Sequence, residues 1–563
     1  MSALISALDN FTPSQLGENG TTEYTWSNSI RENILQLSFQ LTRTNDEATI
    51  QQLATKLDEL LTRLKKFKRD ESKCEEYIEY MSLLYRIIGH TRDVIDGKGE
   101  YTLSYMLLNV WNNHYPELAK YAFNLFVNSP TPESHPYGSW KDVKYLYKAN
   151  KESSLINYAL DLMIHQLRVD STSDNPSLAA KWVPREKSQF KELFSILATT
   201  YFQEYILTAT TDDKRRKATI KAKMDFRKLI SGLNKKLDTV QIKQCGQNWS
   251  TIDPSKQTSI TMHKQKKAFL NLNKKGETRS ESEDRILCAS NFTEYAAKAV
   301  KGEVEIKGKR ISLIDFSKNA AKLKYPKDSV EIDILNAQWL NNSTQTGALG
   351  KMIAMVDVSG SMSGDPMEAA IALGIRVAEK SLLGKRVLTF STSPTWVNLD
   401  GYNTFYEMAS TVRRADWGGN TNFQAALNMI LDAIISQKLE PHDVEDMVLA
   451  IFSDMQMDQA DRTSMSLMDT IEKRYADAGL RLWGKPFKVP HILFWNLRST
   501  SGFPTLSTQR NASMMSGFSP ALLNLFCDEG LEALQSCTPW SLFVKGLNNE
   551  RYSVLDTYIR ETL

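Results

Sequence analysis

The sequence predicts a multidomain protein: an α-helical repeat domain fills the amino-terminal half, and a Rossmann-like α/β domain, a parallel sheet with helices on both faces, fills the last third. Three observations predict it. Between Ile30 and about Lys236, apolar residues recur at three- and four-residue spacing, the pattern of successive amphipathic helices. After Gly347 the rhythm changes to short, continuously apolar runs alternating with helical stretches, as strands of a sheet buried on both faces read. The 563 residues, 42% hydrophobic and 24% charged, exceed what one core organises and have the balance of ordered globular domains.

Taken in order, residues 1–28 (with NFTPSQLGENGTTEYTWSN) are rich in turn and polar types and predict a flexible amino-terminal arm. Residues 29–345 form the predicted helical domain. Leu53, Leu57, Leu60, Leu61 and Leu64 share one helix face, as do Leu83, Leu84, Ile87 and Ile88, and then Leu155, Tyr158 and Leu162. Breaks at 96–99 (DGKG), 128–138 (NSPTPESHPYG) and 170–175 (DSTSDN) make the helices short and turn-linked, as in helical hairpins or a solenoid, although no repeat of fixed length emerges. The stretch 253–345 is mixed, with a β-like run from Val304 to Ile311 and a helix around Phe316 to Lys324. In residues 346–563, strands are predicted at Met352 to Val356, Arg386 to Ser391, Met447 to Ser453 and His491 to Trp495. Helices are predicted at Met367 to Lys380, Phe423 to Gln437 and Ser464 to Ala478. Ligands of such a sheet belong at the carboxyl ends of its strands.

Composition narrows the function classes. The opening residues lack the basic flank and long apolar run of a secretory signal, and nowhere do eighteen apolar residues follow one another, so no membrane span or membrane partner is expected. Cys74, Cys245, Cys288, Cys527 and Cys537 are scattered, odd in number and free of C-x-x-C spacing, which predicts neither a disulfide framework nor a zinc knuckle and suits a reducing, cytoplasmic setting. Net charge is only +3, yet segment 214–279 carries eighteen Lys or Arg against four acids, a local +14 that leaves the remainder at −11.

The motif with chemistry stands at the end of the first carboxyl-terminal strand: Asp357-Val358-Ser359-Gly360-Ser361-Met362-Ser363-Gly364. Alternate residues of such a turn can aim one carboxylate and two hydroxyls at a single point, and hard divalent cations prefer oxygen ligands. Alone, the pattern also reads as a polar turn capping a helix. Asp365 and Glu368 in the same turn read as first-turn acids complementing the helix dipole. Here D-x-S-x-S resembles the metal-ion-dependent adhesion site (MIDAS) of von Willebrand factor A-like domains. The resemblance extends to its other two elements, Thr421 within Trp417-Gly418-Gly419-Asn420-Thr421-Asn422-Phe423 and Asp454 within Phe452-Ser453-Asp454-Met455. It implies one bound cation, Mg²⁺ first and Mn²⁺ or Ca²⁺ otherwise, with Asp357, Ser359, Ser361 and Thr421 as ligands and Asp454 acting through water. Two carboxylates only just neutralise the ion, so it stays electrophilic toward an acidic group of a protein partner. Asp416 and Asn422 flank the threonine loop as supporting groups, and Asp458 reads as a solvated loop acid.

A helical half followed by this domain resembles the TROVE and Ro ribonucleoprotein architecture, in which HEAT-like helical repeats form a ring closed by the A-like domain and RNA binds on and through the ring. The runs Gly138-Ser139-Trp140-Lys141-Asp142, 417–423 and 452–455 resemble more closely an uncharacterised group of TROVE-like proteins of plants, fungi and large DNA viruses; a viral source would add the virion as a location. The resemblance covers most of the chain, but only the last third carries specific motifs.

Two further readings follow from the residues. Lys214, Arg215, Arg216, Lys217, Lys221, Lys223, Arg227 and Lys228 could line one helix as a phosphate-binding face for structured RNA, with Trp249, His263 and Phe269 as stacking groups; the plainer reading is a solvated helix face. Enzymatic readings fare worse. Gly347-Ala348-Leu349-Gly350-Lys351-Met352 is too short for a P-loop, and His90, His114, His135, His165, His263, His442 and His491 form no metalloprotease pairing. A Mg²⁺-dependent phosphoryl transfer with Asp357 as nucleophile lacks a second acid two residues on, where Ser359 stands. The sequence therefore predicts a non-enzymatic binding or scaffold protein.

Overall fold

The computed structural model describes residues 11–68, 74–131, 133–415, 417–445, 447–457, 466–527 and 531–563. The chain is mostly helical, with one six-stranded mixed sheet towards its carboxyl end. The sheet strands are β3 (Met352–Asp357), β4 (Arg386–Phe390), β5 (Thr395–Asn398), β6 (Val448–Ser453), β7 (His491–Asn496) and β8 (Ala512–Ser516), in the order β5-β4-β3-β6-β7-β8. All neighbours run parallel except β5 on β4. β5 and β8, too short and too polar to announce themselves, close the two edges.

Strand alternation divides the side chains between two cores. Ala354, Val356, Ala450, Phe452, Leu493 and Trp495 face helices Leu313–Lys322, Asp365–Lys380 and Phe405–Val412. Met355, Leu449, Ile451, Ile492 and Phe494 face helices Phe423–Gln437 and Leu467–Trp483. With both faces buried, every second residue cannot be polar, which explains the uninterrupted apolar runs. Helix Asp365–Lys380 lies close on β3 because Gly374 offers no side chain: a Cβ there would stand 2.6 Å from Val356 Cγ2.

The amino-terminal helices, from Ile30–Gln40 to Asp212–Lys236, share one large core. The predicted leucine stripe belongs to it: Leu53, Leu57, Leu60, Leu61 and Leu64 are all buried. The Gly138–Asp142 run anchors this core. Asp142 accepts from Arg92 Nε (2.6 Å) and Nη2 (2.8 Å), from Tyr105 Oη (2.7 Å) and from the Ser139 amide (2.9 Å), with both charges fully buried. Gly138 is required there, since a Cβ would come within 2.5 Å of Asp142 Oδ2 and 2.7 Å of Arg92 Nη2.

Four features differ from the sequence expectation. The stretch Val304 to Ile311 forms no strand; helix Ser329–Ser343 satisfies its backbone instead. Asn341 Oδ1 accepts from Gly308 N (2.6 Å), while Asn342 Nδ2 donates to Gly308 O (3.1 Å) and Ile311 O (3.2 Å). The change of rhythm at 345/346 is not a packing boundary, because helices Leu313–Lys322 and Ser329–Ser343 contribute to the core on one sheet face. At the other end, Leu547, Tyr552, Leu555 and Ile559 return to the amino-terminal core, and Arg551 pairs with buried Asp93 at 2.7 Å. An amphipathic helix declares an apolar face in its sequence but not which core receives it.

The fourth difference is the arm, predicted to be loose. Strands β1 (Ser14–Leu16) and β2 (Thr22–Tyr24) form an antiparallel hairpin that lies against the α/β unit, with single bridges from Thr22 to Ser466 and from Tyr24 to Phe503. Its turn residues are those of a hairpin loop: Gly17 N bonds Thr21 O at 2.9 Å and Gly20 takes φ 89°. Trp26 packs edge-on against Phe503 at 5.1 Å between ring centroids. No helix among the described residues is long and apolar enough to cross a membrane.

Candidate metal centre

The carboxyl end of β3 delivers Asp357, and the chain then turns through a short 3-10 segment, Gly360–Met362, before helix Asp365–Lys380. The end of the neighbouring strand β6 delivers Asp454. Asp357, Ser359, Thr421 and Asp454 are each at most 1% exposed. Asp357 Oδ1 accepts from Ser359 N (2.9 Å) and Oδ2 from Ser453 Oγ (2.6 Å), while the hydroxyls of Ser359 and Ser361 lie 3.1 Å apart. Asp454 Oδ1 accepts from Gln456 N (3.1 Å), whereas its Oδ2, equally buried, has no hydrogen-bond partner among the described residues. Asp357, Ser359 and Ser361 thus share one turn, and Asp454 stands at the same end of the neighbouring strand.

The threonine loop runs beside them. Gly418 pairs with Ser359 in an isolated parallel bridge, and Asn422 N bonds Ser391 O (2.9 Å) past the end of β4. Gly418 permits this closeness, since a Cβ there would lie 2.1 Å from Thr392 Oγ1. Thr421 is buried in that loop, two residues beyond Gly419, whose carbonyl lies opposite Gly360. Asn422 serves elsewhere: its side chain caps helix Phe423–Gln437 by accepting from Ala425 N (2.9 Å). Asp365 pairs with Lys318, and Glu368 with Arg413. Asp416 and Asp458 lie outside the described residues.

Electrostatically the centre is short of positive charge. Burial and then the charge of Asp454 push the Asp357 carboxyl up to about 7, against partial relief from its bonds to Ser359 and Ser453. Burial likewise raises Asp454, offset in part by the Gln456 amide, Arg498 and the Ser361 hydroxyl. Met455 between these groups holds φ 64°, a left-handed conformation rare for methionine, with its amide on Ser453 Oγ (3.1 Å). Two buried carboxylates, one with an unsatisfied oxygen, beside alternating hydroxyls make a donor set that fits a hard divalent cation. Among the described residues no group of three or more His, Cys, Asp or Glu side chains is placed to hold a metal ion by itself.

A family described as "Domain of unknown function (DUF7788)" matches residues 351–543. That span begins one residue before β3 and holds all six sheet strands and all five candidate ligands. The chain is also similar to "Uncharacterized protein L728" of Acanthamoeba polyphaga mimivirus, 28% identical over 473 residues, which covers 79% of this chain and 76% of that protein. The similarity thus extends well beyond the sheet into the helical part.

Two residues at the centre escaped the sequence reading. Arg498, two positions beyond β7, places Nη1 3.6 Å from Asp454 Oδ2 and 3.2 Å from Ser361 O. Glu18, at the tip of the amino-terminal hairpin, pairs with Arg498 Nη2 at 3.0 Å. Arg498 had a positional signal, because it lies at the same sheet edge as Asp357 and Asp454; Glu18 had none.

All eight named cations lie on helix Asp212–Lys236, but Arg215 pairs with Asp212 (3.4 Å), Arg216 and Lys217 with Asp213 (3.1 and 3.0 Å), Lys228 with Asp225 (3.7 Å), and Arg227 with Glu186. Lys221 sits over the Tyr205 ring at 4.3 Å. The proposed stacking groups are not available as such. Phe269 is fully buried against Phe292, His263 is buried and bonded to Asn319 (2.9 Å), and Arg285 covers Trp249 at 3.7 Å. An apolar core needs its aromatics more than a basic surface does, and sequence proximity does not separate the two uses.

Proposed function

We propose that this chain is a non-enzymatic binding or scaffold protein whose carboxyl-terminal α/β unit is a von Willebrand factor A-like domain holding one divalent cation, Mg²⁺ or alternatively Mn²⁺ or Ca²⁺. Asp357, Ser359, Ser361 and Thr421 would hold it, with Asp454 acting through water, and the ion would recruit an acidic side chain of a protein partner. The observation that carries this reading is the buried pair Asp357 and Asp454, whose only ionic neighbour at the unsatisfied Oδ2 is, among the described residues, one guanidinium 3.6 Å away. Buried acids without full compensation are costly, and a divalent ion removes that cost. Bound there, the ion would supply an electrophilic site for a carboxylate. Calorimetry with MgCl₂ on the full chain tests the reading: one ion taken up by the wild type and none by Asp357→Asn is the expected result, and no uptake by the wild type would overturn it.

A second reading, a Ro-like RNA-binding protein, draws on the exposed basic helix Asp212–Lys236. Four local acids pair with five of its eight cations, Asp213 taking both Arg216 and Lys217, which leaves Lys214, Lys221 and Lys223 outside these ion pairs as the main charge toward a phosphate backbone. The HEAT-like ring architecture belongs to this reading. A Mg²⁺-dependent phosphoryl-transfer enzyme is a third and weaker one, which a phosphatase and nuclease screen with Mg²⁺ and Mn²⁺ would exclude.

A further inference from the structure

The amino-terminal hairpin reaches across more than four hundred residues of sequence to dock on the loop that carries Asp454. Glu18 N donates to Gln456 Oε1 (2.7 Å), Asn19 Nδ2 to Gln456 O (2.8 Å) and Thr21 Oγ1 to Met457 O (2.7 Å). Gln456 in turn donates its amide N–H to Asp454 Oδ1, so one residue links hairpin and acid. Beneath the tip, Glu23 is buried, bonded by Gln456 Nε2 (3.2 Å) and Gln15 Nε2 (2.8 Å), and packed so tightly that a Cβ on Gly502 would stand 1.8 Å from its carboxyl carbon. The tip is thus fixed in place, and its one outward acid is Glu18.

Glu18 does not simply face water. Its carboxylate grips Arg498 (3.0 and 3.3 Å), the same guanidinium that approaches Asp454 Oδ2 and bonds Ser361 O. Asp357, Asp454 and Glu18 against Arg498 give a net charge of minus two, which a single divalent ion would neutralise. Without Glu18 the loaded centre would carry one positive charge and attract another acid.

We propose, resting on the cation reading above, that Arg498 is the acid-recognising residue of this centre and that Glu18 is its resident occupant, a carboxylate that a glutamate or aspartate side chain of a partner must replace. The exchange is charge-neutral, one carboxylate for another, and the hairpin sets its threshold. Arg498 then reads the acid beside the cation, and a partner supplying an amide or an alcohol would gain nothing from it.

The test uses the full chain in saturating MgCl₂ and, as probe, a fluorescein-labelled peptide of two glycines, one glutamate and two glycines, read by anisotropy. Glu18→Ala should bind it at least ~5-fold more tightly than the wild type, and Arg498→Gln in the Glu18→Ala background should remove the gain. Glu18→Gln, which keeps the shape and the backbone bond to Gln456, should weaken Mg²⁺ uptake about 3- to 10-fold by calorimetry, as loss of one nearby charge requires. Wild-type peptide binding by Glu18→Ala, with Mg²⁺ uptake intact in both proteins, would overturn the assignment of Glu18 and leave the cation site standing. Absence of Mg²⁺ uptake by the wild type would overturn both.

Discussion

Replacing Asp357 by asparagine should stabilise the chain without metal and abolish its response to metal. At pH 8 in a chelator, the wild-type carboxylate is ionised although its surroundings displace its pKa from 3.8 to about 7. That displacement corresponds to roughly 4 kcal/mol of preference for the neutral form. Asparagine keeps an acceptor for the Ser359 amide and can donate to Ser453 Oγ, so it inherits both hydrogen bonds of the acid without its charge. Allowing for relaxation and water entry around a buried charge, about 2 kcal/mol of gain remains. For 563 residues unfolding as one body this raises the unfolding midpoint by roughly 1 to 2 °C. The assay is thermal unfolding of wild type and Asp357→Asn at pH 8, each in EDTA and in ~5 to 10 mM MgCl₂ (about a hundredfold over a Kd of ~50 to 100 μM, enough for roughly 2.7 kcal/mol of stabilisation). The variant should melt above the wild type in EDTA and gain nothing from Mg²⁺, while the wild type gains. A variant that melts lower in EDTA, or that gains from Mg²⁺ as much as the wild type, would refute the claim that an uncompensated charge at Asp357 marks a cation site.

The same acid sets a pH dependence. Because its folded pKa lies above the unfolded value, its contribution to stability in chelator is complete below pH 3.8 and is lost as pH rises through about 7; wild-type unfolding midpoints in EDTA should therefore fall between pH 5.5 and 8 (roughly the upper part of that window), and Asp357→Asn should flatten the slope. Asp142→Ala should destabilise the helical part by about 3 to 5 kcal/mol, since it strands Arg92 in the core, whereas the paired change of Arg92 and Asp142 to Met and Leu should cost much less, as chemical denaturation would show. If the basic helix binds RNA, reversing Lys214, Lys221 and Lys223 to glutamate should weaken retention of a structured RNA and lower the salt slope by two to three (about 0.7 to 0.9 for each phosphate no longer neutralised); an unchanged slope removes the RNA reading.

How much of this was legible in the sequence depended on the range over which each signal acts. β3, β4, β6 and β7 were readable because a strand buried on both faces needs apolar residues on each, and that demand is met within six residues; β5, with Trp396 and Asn398 outward at an edge, is under no such demand and left no trace. The run Val304 to Ile311 misled for the converse reason: alternation fits an extended segment, but Asn341 and Asn342, more than thirty residues away, decide that its hydrogen bonds go to side chains. Asp357, Ser359 and Ser361 declared themselves through local spacing, and Asp454 through its place after an apolar strand. Arg498 had only its position just after β7 to mark it, and Glu18 had nothing, because what makes Glu18 part of the centre is the docking of a hairpin whose polar, glycine-rich sequence is also that of a loose arm. The hairpin is held by Gln456 and the buried Glu23, and both look in sequence like ordinary solvated residues. A loop that gathers partners from the far end of the chain has no local pattern to display, so the residues that select what may approach the centre are the ones a sequence motif leaves out.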